Sequence, residues 1–366
     1  MVKIMIAPNR YIQGSRVLEE TGKHIAHLGS RVFFIGGPTA LSIVRDQVSP
    51  SLDENSMQYQ FEAFSGECTR ASAAQLSEKA RTFGADVVAG VGGGRAIDTA
   101  KAVSHELGSA LIIIPTVASN DAPCSALSVQ YDENHMLDRF LILKRNPDVV
   151  LVDSQVIAEA PTRYFVAGMG DALATWFEAF TCTKSGAKNL PGGVTTAAAL
   201  NLARLCYDTL MEHGVSAKRA VDQDAVTPAV EAVIEANILL SGLGFESSGL
   251  AAAHGIHEGV QALEGTEGAL HGELVAFGTI AQLVMEDYPR EEIDRVIDFC
   301  NAVGLPVTLS QLGVADTSPE NLMKAAEIAC MEGLTTHNSY FEVNPELVLE
   351  AITGANALGE ASLKHS

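Results

Sequence analysis

The stretch Asp86–Leu107, DVVAGVGGGRAIDTAKAVSHEL, combines a short apolar run, a glycine-rich turn and a longer segment with helical spacing. Asp86–Ala89 is typical of a buried strand, and apolar residues recur at helical intervals over Ala96–Leu107. A strand followed by a turn and a helix is the repeating unit of a parallel sheet with crossover helices. The stretch therefore predicts an α/β fold for the chain around it.

Further strand and helix patterns on both sides extend this prediction to the first 160 residues. The other predicted strands are Lys3–Ile6, Val32–Ile35, Leu111–Ile114 and Val149–Val152. Arg70–Phe83 predicts another helix, and the polar Gln130–Arg139, lying between two apolar runs, indicates an added hairpin. We predict one α/β domain over residues 1–160.

After Pro161 the chain consists of alanine-rich segments with helical spacing and no convincing strand. The predicted helices are Thr162–Thr181, Val194–His213, Pro228–Ser241, His271–Met285, Arg290–Val303, Pro319–Met331 and Pro345–Leu363. Pro161 suits the first turn of a helix, where a missing N–H costs nothing. We predict an all-α domain over residues 161–366.

Composition narrows the class of protein. The 366 residues are 47% hydrophobic and 19% charged, which supplies enough apolar material for two cores. A net charge of −21 argues against nucleic acid and anionic membranes as partners. The sequence has neither a signal-peptide pattern nor an apolar run of membrane-spanning length, and its six cysteines include no C-x-x-C pair. We expect a soluble, reduced, cytoplasmic protein.

The glycine turn Gly90–Gly94 is a candidate phosphate site. Without Cβ atoms the backbone lets phosphate oxygens approach, and the following helix N-terminus offers unpaired N–H groups. The spacing matches neither G-x-G-x-x-G nor a Walker loop, so an ordinary tight turn is the alternative. Asp98 and Lys101 lie three residues apart on the predicted helix, and a surface pair is the ordinary alternative for them.

A second predicted strand ends in the polar segment Thr116–Asp121. Ligands of open α/β sheets gather at the carboxyl ends of strands. Thr116 and Ser119 are candidates for hydrogen bonds to a phosphate or a ribose, and Asp121 supplies a carboxylate. An ordinary polar loop, with Asp121 solvated or capping a turn, is the alternative.

The segment Ala253–Gly278 holds three histidines, His254, His257 and His271, among small and apolar residues. Neutral imidazoles in such surroundings are suitable ligands for a buried transition metal. A catalytic zinc needs three protein ligands, and the best third candidate is Asp171, whose neighbours are apolar. Core histidines with satisfied hydrogen bonds, and Asp171 as a helix cap, are the alternatives.

Together these segments resemble the metal-dependent group III, or iron-containing, alcohol dehydrogenases, and in particular their glycerol dehydrogenase branch. The similarity runs nearly end to end. It is carried by Ala7–Gly14, Phe64–Thr69, Gly90–Lys101, Pro115–Tyr131, Asn146–Asp153, Gly168–Ala172, Ser241–Ser247 and both histidine segments. The segments containing Asp121 and Phe245 are specific to the branch.

The resemblance implies a Rossmann-like N-terminal domain, an all-α C-terminal domain and a cleft between them for a nicotinamide cofactor and zinc, an architecture like that of dehydroquinate synthase. It implies that Asp171, His254 and His271 are the metal ligands, with another divalent metal as an alternative to zinc. Family members are commonly ring-shaped oligomers, often octamers, so we expect a homo-oligomer.

The resemblance also implies a cofactor site and a substrate site. The expected cofactor residues are Gly92, Gly93, Gly94, Arg95, Asp98, Thr116, Ser119, Ser125, Leu127 and Tyr131. The expected catalytic residues are Asp121, which would bind a substrate hydroxyl, His257 and Phe245. The family often has an aspartate at the position of Gly37 to bind the adenosine ribose, so its absence leaves NADP as well as NAD as a candidate cofactor.

The predicted reaction is hydride transfer between a nicotinamide cofactor and a small polyol, with glycerol to dihydroxyacetone as the leading case and zinc polarising the hydroxyl. The alternatives are oxidation of 1,2-propanediol or another vicinal diol, a non-redox synthase or lyase on the same fold, and a non-catalytic ring protein. A synthase of the dehydroquinate kind needs clustered basic residues for an anionic substrate, and the helical half is poor in them.

Overall fold

The computed structural model describes residues 1–132 and 137–364. Strands alternate with helices in the first part of the chain. These elements are β1 (Tyr11–Gly14), α1 (Thr21–Ile25), β2 (Arg31–Gly36), α2 (Pro38–Glu54), β3 (Gln58–Ala63), α3 (Arg70–Phe83), β4 (Val87–Gly92), α4 (Gly94–Leu107), β5 (Ala110–Pro115), β6 (Leu127–Tyr131), β7 (Leu137–Ile142), β8 (Val149–Asp153) and α5 (Ser154–Ala158).

The remaining named elements of the described chain are helical. They are α6 (Thr162–Ser185), α7 (Ala197–Val221), α8 (Pro228–Glu235), a π-helical stretch (Ala236–Leu240), α9 (Ser241–Ser248), α10 (Ala252–Gln261), α11 (His271–Met285), α12 (Arg290–Val303), α13 (Pro319–Ala329) and α14 (Pro345–Leu363). The predicted fold class is therefore confirmed: strands and helices alternate first, and helices follow.

Six strands form one parallel sheet in the order β1-β8-β5-β4-β2-β3. On one face Val32 and Phe34 of β2 are fully buried together with Val44 and Val48 of α2. On β4, a Cβ added to Gly90 would lie 2.7 Å from the Cβ of Ala100 in α4, so this glycine allows α4 to pack tightly against the sheet. The sheet thus fixes the start of α4 at the carboxyl end of β4.

The predicted hairpin is confirmed, because β6 and β7 pair in antiparallel fashion. Residues 133–136, which fall within the predicted turn Gln130–Arg139, lie outside the described residues. The prediction of a strand over Lys3–Ile6 is wrong. Lys3 forms only an isolated bridge with Val194, and the Ile6 N–H donates to Ser247 Oγ at 3.2 Å. These residues are held by the helical part of the chain instead of a sheet.

Contacts divide the chain into two compact units. The helical unit comprises Met1–Ile6, Thr162–Arg219 and Leu243–Ser366, and the α/β unit comprises Ala7–Pro161 and Ala220–Gly242. This division differs from the predicted one, which has a single domain boundary near residue 160. Residues 220–242 join the α/β unit because the Asn237 amide donates to the Ala118 carbonyl at 3.1 Å and the Ser241 hydroxyl donates to Asp121.

One helical stretch of the described chain, Pro228–Ser248, is long and apolar enough to cross a membrane by length and composition. Within the protein 67% of its apolar window is buried. Its apolar side chains are therefore largely used in packing, as in the core helix of a globular protein.

Candidate functional site

The helical unit brings together the three residues that were predicted to bind a metal. Asp171 lies in α6, His254 in α10 and His271 at the first position of α11. One ligand atom from each residue lies within 4.8 Å of the other two. We call these three side chains the Asp171 cluster.

Close contact between two helices sets the spacing of this cluster. Gly170 and Gly272 immediately precede and follow Asp171 and His271 in the sequence. A Cβ on Gly170 would collide with the Gly272 carbonyl, and a Cβ on Gly272 would collide with the carbonyl of Ala167. Only glycine at both positions allows the backbones of α6 and α11 to approach this closely. The contact places Asp171 next to His271.

The donor atoms of the Asp171 cluster suit a divalent transition metal. The Nε2 atoms of His254 and His271 lie 3.4 and 3.3 Å from the same oxygen, Asp171 Oδ1. Two imidazole nitrogens and one carboxylate are a common set for a catalytic zinc, and they also suit iron. Asp171 is almost completely buried, whereas the His271 side chain is 40% exposed. The residues present therefore fit a metal that is open on one side.

Glu178, which the sequence analysis missed, holds His254 from the opposite side. Its Oε2 lies 2.7 Å from His254 Nδ1, and its Oε1 accepts the backbone N–H groups of Ala251 and His254 at 2.8 and 3.0 Å. The side chain is fully buried. The available signal was its position seven residues after Asp171, two helical turns along the same face.

His257 contacts the remaining histidine of the segment. Its Nε2 lies 3.2 Å from His271 Nδ1, and its Nδ1 lies 3.3 Å from the carbonyl oxygen of His254. Both ring nitrogens thus face protein groups, and the ring is nearly buried. The structure therefore places His257 in direct contact with His271.

Burial and neighbouring charges shift the pKa values of Asp171, His254 and His257. Burial raises the pKa of Asp171, but the His271 and His254 rings outweigh burial and leave it well below its usual range. Burial lowers the pKa of His254, but Glu178 and Asp171 outweigh burial and leave it well above its usual range. Burial, with His271 and His254 nearby, holds the pKa of His257 well below its usual range. Protons and a metal ion would therefore compete for Asp171 and His254.

The α/β unit brings the predicted phosphate-binding glycines to the junction of β4 and α4. Gly92 has a φ of 132°, a conformation that side chains disfavour, and Gly93 is the N-cap of α4. A Cβ on Gly94 would lie 3.0 Å from the Asn120 amide nitrogen. Thr116, the residue directly after β5, donates its N–H to the Gly92 carbonyl at 3.2 Å. These residues form one backbone-lined turn at a helix N-terminus, which suits a phosphate.

Asp98 and Lys101 do not form a surface pair, which was the ordinary alternative for them. Lys101 is fully buried, and its Nζ donates to the carbonyls of Ala122 and Leu127, both at 2.6 Å, and to Ser125 Oγ at 3.0 Å. The spacing of three residues correctly places the two side chains near each other on α4, but it gives no information on whether they are buried. We call Lys101, Ser125 and these two carbonyls the Lys101 cluster. It holds the segment that carries two predicted cofactor residues, Ser125 and Leu127.

Asp98 is also buried, with its Oδ1 3.8 Å from Lys101 Nζ. Burial raises its pKa to about 6, although the charge of Lys101 acts in the opposite direction. Its backbone carbonyl accepts the Ser128 hydroxyl at 2.9 Å, which ties α4 to β6. This predicted cofactor residue therefore contacts the strand that also contains Leu127 and Tyr131.

The other predicted residues have different environments. Arg95 is exposed and donates to Glu67 at 3.0 Å, while Ser119 is partly buried. Asp121 accepts the Ser241 hydroxyl at 2.7 Å within the α/β unit. Phe245 belongs to the helical unit, where it is 7% exposed.

Comparison with known proteins gives a consistent result. Residues 8–154 match the family model of iron-containing alcohol dehydrogenases. A glycerol dehydrogenase of Escherichia coli O6:H1 is 45% identical, covering 100% of this chain and 99% of the relative. A glycolaldehyde reductase of Halobacterium salinarum is 43% identical, covering 98% of each chain.

A solved structure supports the same relationship. The crystal structure of a probable glycerol dehydrogenase from Sinorhizobium meliloti 1021 is 41% identical and superposes with a TM-score of 0.93. The alignment covers 98% of this chain and 100% of that structure. Sequence and fold thus agree over essentially the whole chain.

Proposed function

Because this chain belongs to the iron-containing alcohol dehydrogenase family, we propose that it oxidises the secondary hydroxyl of glycerol to give dihydroxyacetone, with a nicotinamide cofactor as hydride acceptor. The observation that carries the proposal is the convergence of Asp171, His254 and His271 within 4.8 Å. The glycerol dehydrogenases among the relatives support the choice of substrate.

The Asp171 cluster would hold a divalent metal, with zinc as the proposed ion and iron as the alternative. When bound, such an ion supplies Lewis acidity, which favours loss of the proton from an alcohol. Glu178 and His257 hold the two histidine rings from behind. The partial exposure of His271 leaves that side of the cluster accessible to a small substrate.

The glycine turn of the α/β unit would hold the cofactor. Gly92, Gly93 and Gly94 would bind the pyrophosphate through backbone N–H groups at the start of α4. Thr116, Ser119, Arg95 and Asp98 would border the same region, and Ser125, Leu127 and Tyr131 would border the nicotinamide. NAD is the proposed cofactor, and NADP is the alternative because Gly37 presents no carboxylate at the end of β2.

Three further side chains are proposed to take part in the reaction. Asp121, held by the Ser241 hydroxyl, would accept a hydrogen bond from a substrate hydroxyl. Phe245 would exclude water with its buried ring. His257, which the resemblance implies to be catalytic, would orient His271 or take up the proton that leaves the substrate.

Reduction of glycolaldehyde is a second candidate reaction, favoured by the 43% identity to a glycolaldehyde reductase. In this reaction the hydride would pass in the opposite direction, from the reduced cofactor to the carbonyl of a small hydroxyaldehyde.

We further propose a homo-oligomeric cytoplasmic enzyme, with an octamer as the leading assembly.

A substrate panel tests the proposal. Purified protein would receive glycerol, 1,2-propanediol, 1,3-propanediol or a simple alcohol, each with NAD or NADP, before and after chelation, and with glycolaldehyde in the reverse direction. We expect glycerol with NAD to give the highest kcat/KM, and we expect activity to disappear on chelation and return with zinc. Turnover of none of these substrates by metal-loaded protein would contradict the proposal.

A further inference from the structure

Glu178 faces two different kinds of hydrogen-bond donor with its two oxygens. Oε1 accepts the backbone N–H groups of Ala251 and His254, which are the N-cap and third residues of α10. Oε2 faces the His254 ring at Nδ1. One carboxylate from α6 therefore both caps α10 and contacts the ring of a proposed metal ligand.

The capping contacts restrict which atom of residue 178 can face the ring. Both backbone groups are donors, so an acceptor must stay at the Oε1 position. A carboxylate also presents an acceptor at Oε2, and His254 then carries a proton on Nδ1. The lone pair is left on Nε2, the atom that lies 3.4 Å from Asp171 Oδ1. The tautomer required for metal binding is thus fixed by a fully buried side chain.

We propose that Glu178 is a positioning residue of the metal centre, which fixes the ring orientation and tautomer of His254 and thereby raises the affinity for the metal. The proposal rests on the proposed metal-binding role of the Asp171 cluster. It assigns Glu178 no contact with substrate or cofactor.

The substitution Glu178→Gln separates the two roles. The amide oxygen must remain at the Oε1 position to accept the two backbone N–H groups, so the NH₂ group faces His254 Nδ1. The ring then accepts at Nδ1 and carries its proton on Nε2, which opposes metal binding. The cap is preserved while the ring contact is reversed.

The test measures zinc affinity by competition with a chromogenic chelator. We expect Glu178→Gln to bind zinc about ten- to a hundredfold more weakly than wild type, the usual effect of losing an outer contact of a ligand histidine. Glu286→Gln is the matched control, because Glu286 is a buried acceptor of Thr181 and Gln282 in the same unit. We expect its zinc affinity to stay within about threefold of wild type.

A second measurement does not depend on the folding of the variant. In zinc-loaded wild type, the ¹⁵N spectrum of His254 should display a protonated Nδ1. An unprotonated Nδ1 in that spectrum, or equal zinc affinity of wild type and Glu178→Gln, would overturn the positioning role alone. A wild type that binds no zinc or iron would overturn the proposed metal centre with it.

Discussion

The Lys101 cluster and the Asp171 cluster each hold an ionisable side chain away from solvent, but they differ in what their atoms face. Around Lys101 one ammonium donor meets three acceptors at 2.6–3.0 Å. In the Asp171 cluster two imidazole Nε2 atoms and one carboxylate oxygen, all able to act as acceptors, point at one another. The first arrangement is complementary within the protein, whereas the second needs protons or a metal ion between its atoms.

The difference distinguishes structural from ligand-binding polar clusters. A buried charge that is fully hydrogen-bonded by its surroundings stabilises a loop and a single conformation. A set of converging acceptors binds a cation and changes with pH and with metal supply. We therefore expect substitution and chelation at the Asp171 cluster to reduce metal binding and activity. Substitution at the Lys101 cluster should instead reduce the stability of the fold.

The largest effect is expected from the substitution His271→Ala. It removes one of the three proposed metal ligands, so we expect stoichiometric zinc and glycerol oxidation to be lost together. The loss in zinc affinity should exceed the roughly hundredfold that is typical of losing an outer contact of a ligand. Metal analysis and steady-state kinetics measure both quantities. His213→Ala, at a partly exposed histidine in the helical unit, is the control. An active His271→Ala protein without metal would refute the assignment of the cluster.

The next largest effect is expected from Lys101→Met. Removing the ammonium leaves its buried acceptors without this donor, so we expect the free energy of unfolding to fall by about 3–5 kcal/mol. Urea denaturation measures this loss, and zinc affinity should not change. Lys23→Met is the control, because Lys23 forms an exposed pair with Glu20 that solvent screens. A loss no larger than that of the control would contradict the structural role.

A smaller effect concerns the pH dependence of stability at Asp98. The pKa of Asp98 in the folded protein, about 6, lies above the usual 3.8. Its contribution to the free energy of unfolding is therefore complete below pH 3.8 and is lost as the pH rises through about 6. Relative to Asp98→Asn, wild type should lose about 3 kcal/mol of unfolding free energy over this window. Urea denaturation across the pH range tests this expectation. Asp46→Asn, at an exposed position, should follow wild type.

The smallest effect is expected from a substitution at Gly37, which lies in the α/β unit. Its φ of −62° suits any residue, and a Cβ there would meet no atom within 4 Å, so Gly37→Asp can be accommodated. The new carboxylate should raise the NAD-to-NADP ratio of kcat/KM about tenfold, equivalent to about 1.4 kcal/mol. Zinc affinity is the internal control and should not change. An unaltered cofactor ratio would place the adenosine ribose elsewhere.

Local signals explain why some elements could be predicted from the sequence. The bounds of α12 and α14 match the prediction, since Pro289 and Gly304 flank α12 and Pro345 is the first residue of α14. The convergence of Asp171, His254 and His271 could also be predicted, because histidines among apolar residues are unusual. Both cases depend on residue types whose conformational or chemical preference is strong.

Other features depend on distant contacts that the sequence does not contain. β3, QYQFEA, is an edge strand with exposed and half-buried residues, so its mixed polarity obscured it. Lys101 resembles any surface lysine until the segment from Ala122 to Leu127 folds over it. Glu178 resembles a solvated helix residue until α10 begins beside it. In each case burial is created by a partner far along the chain.

The contact between Gly170 and Gly272 has a consequence for how such enzymes diversify. Because the two backbones meet directly, the spacing of Asp171 and His271 is set by the helices themselves and not by the packing of larger side chains. Substitutions elsewhere in the helical unit can accumulate without changing that spacing. Evolution, or a directed library that leaves the two glycines intact, can therefore vary other parts of the helical unit while the spacing of Asp171 and His271 is inherited unchanged.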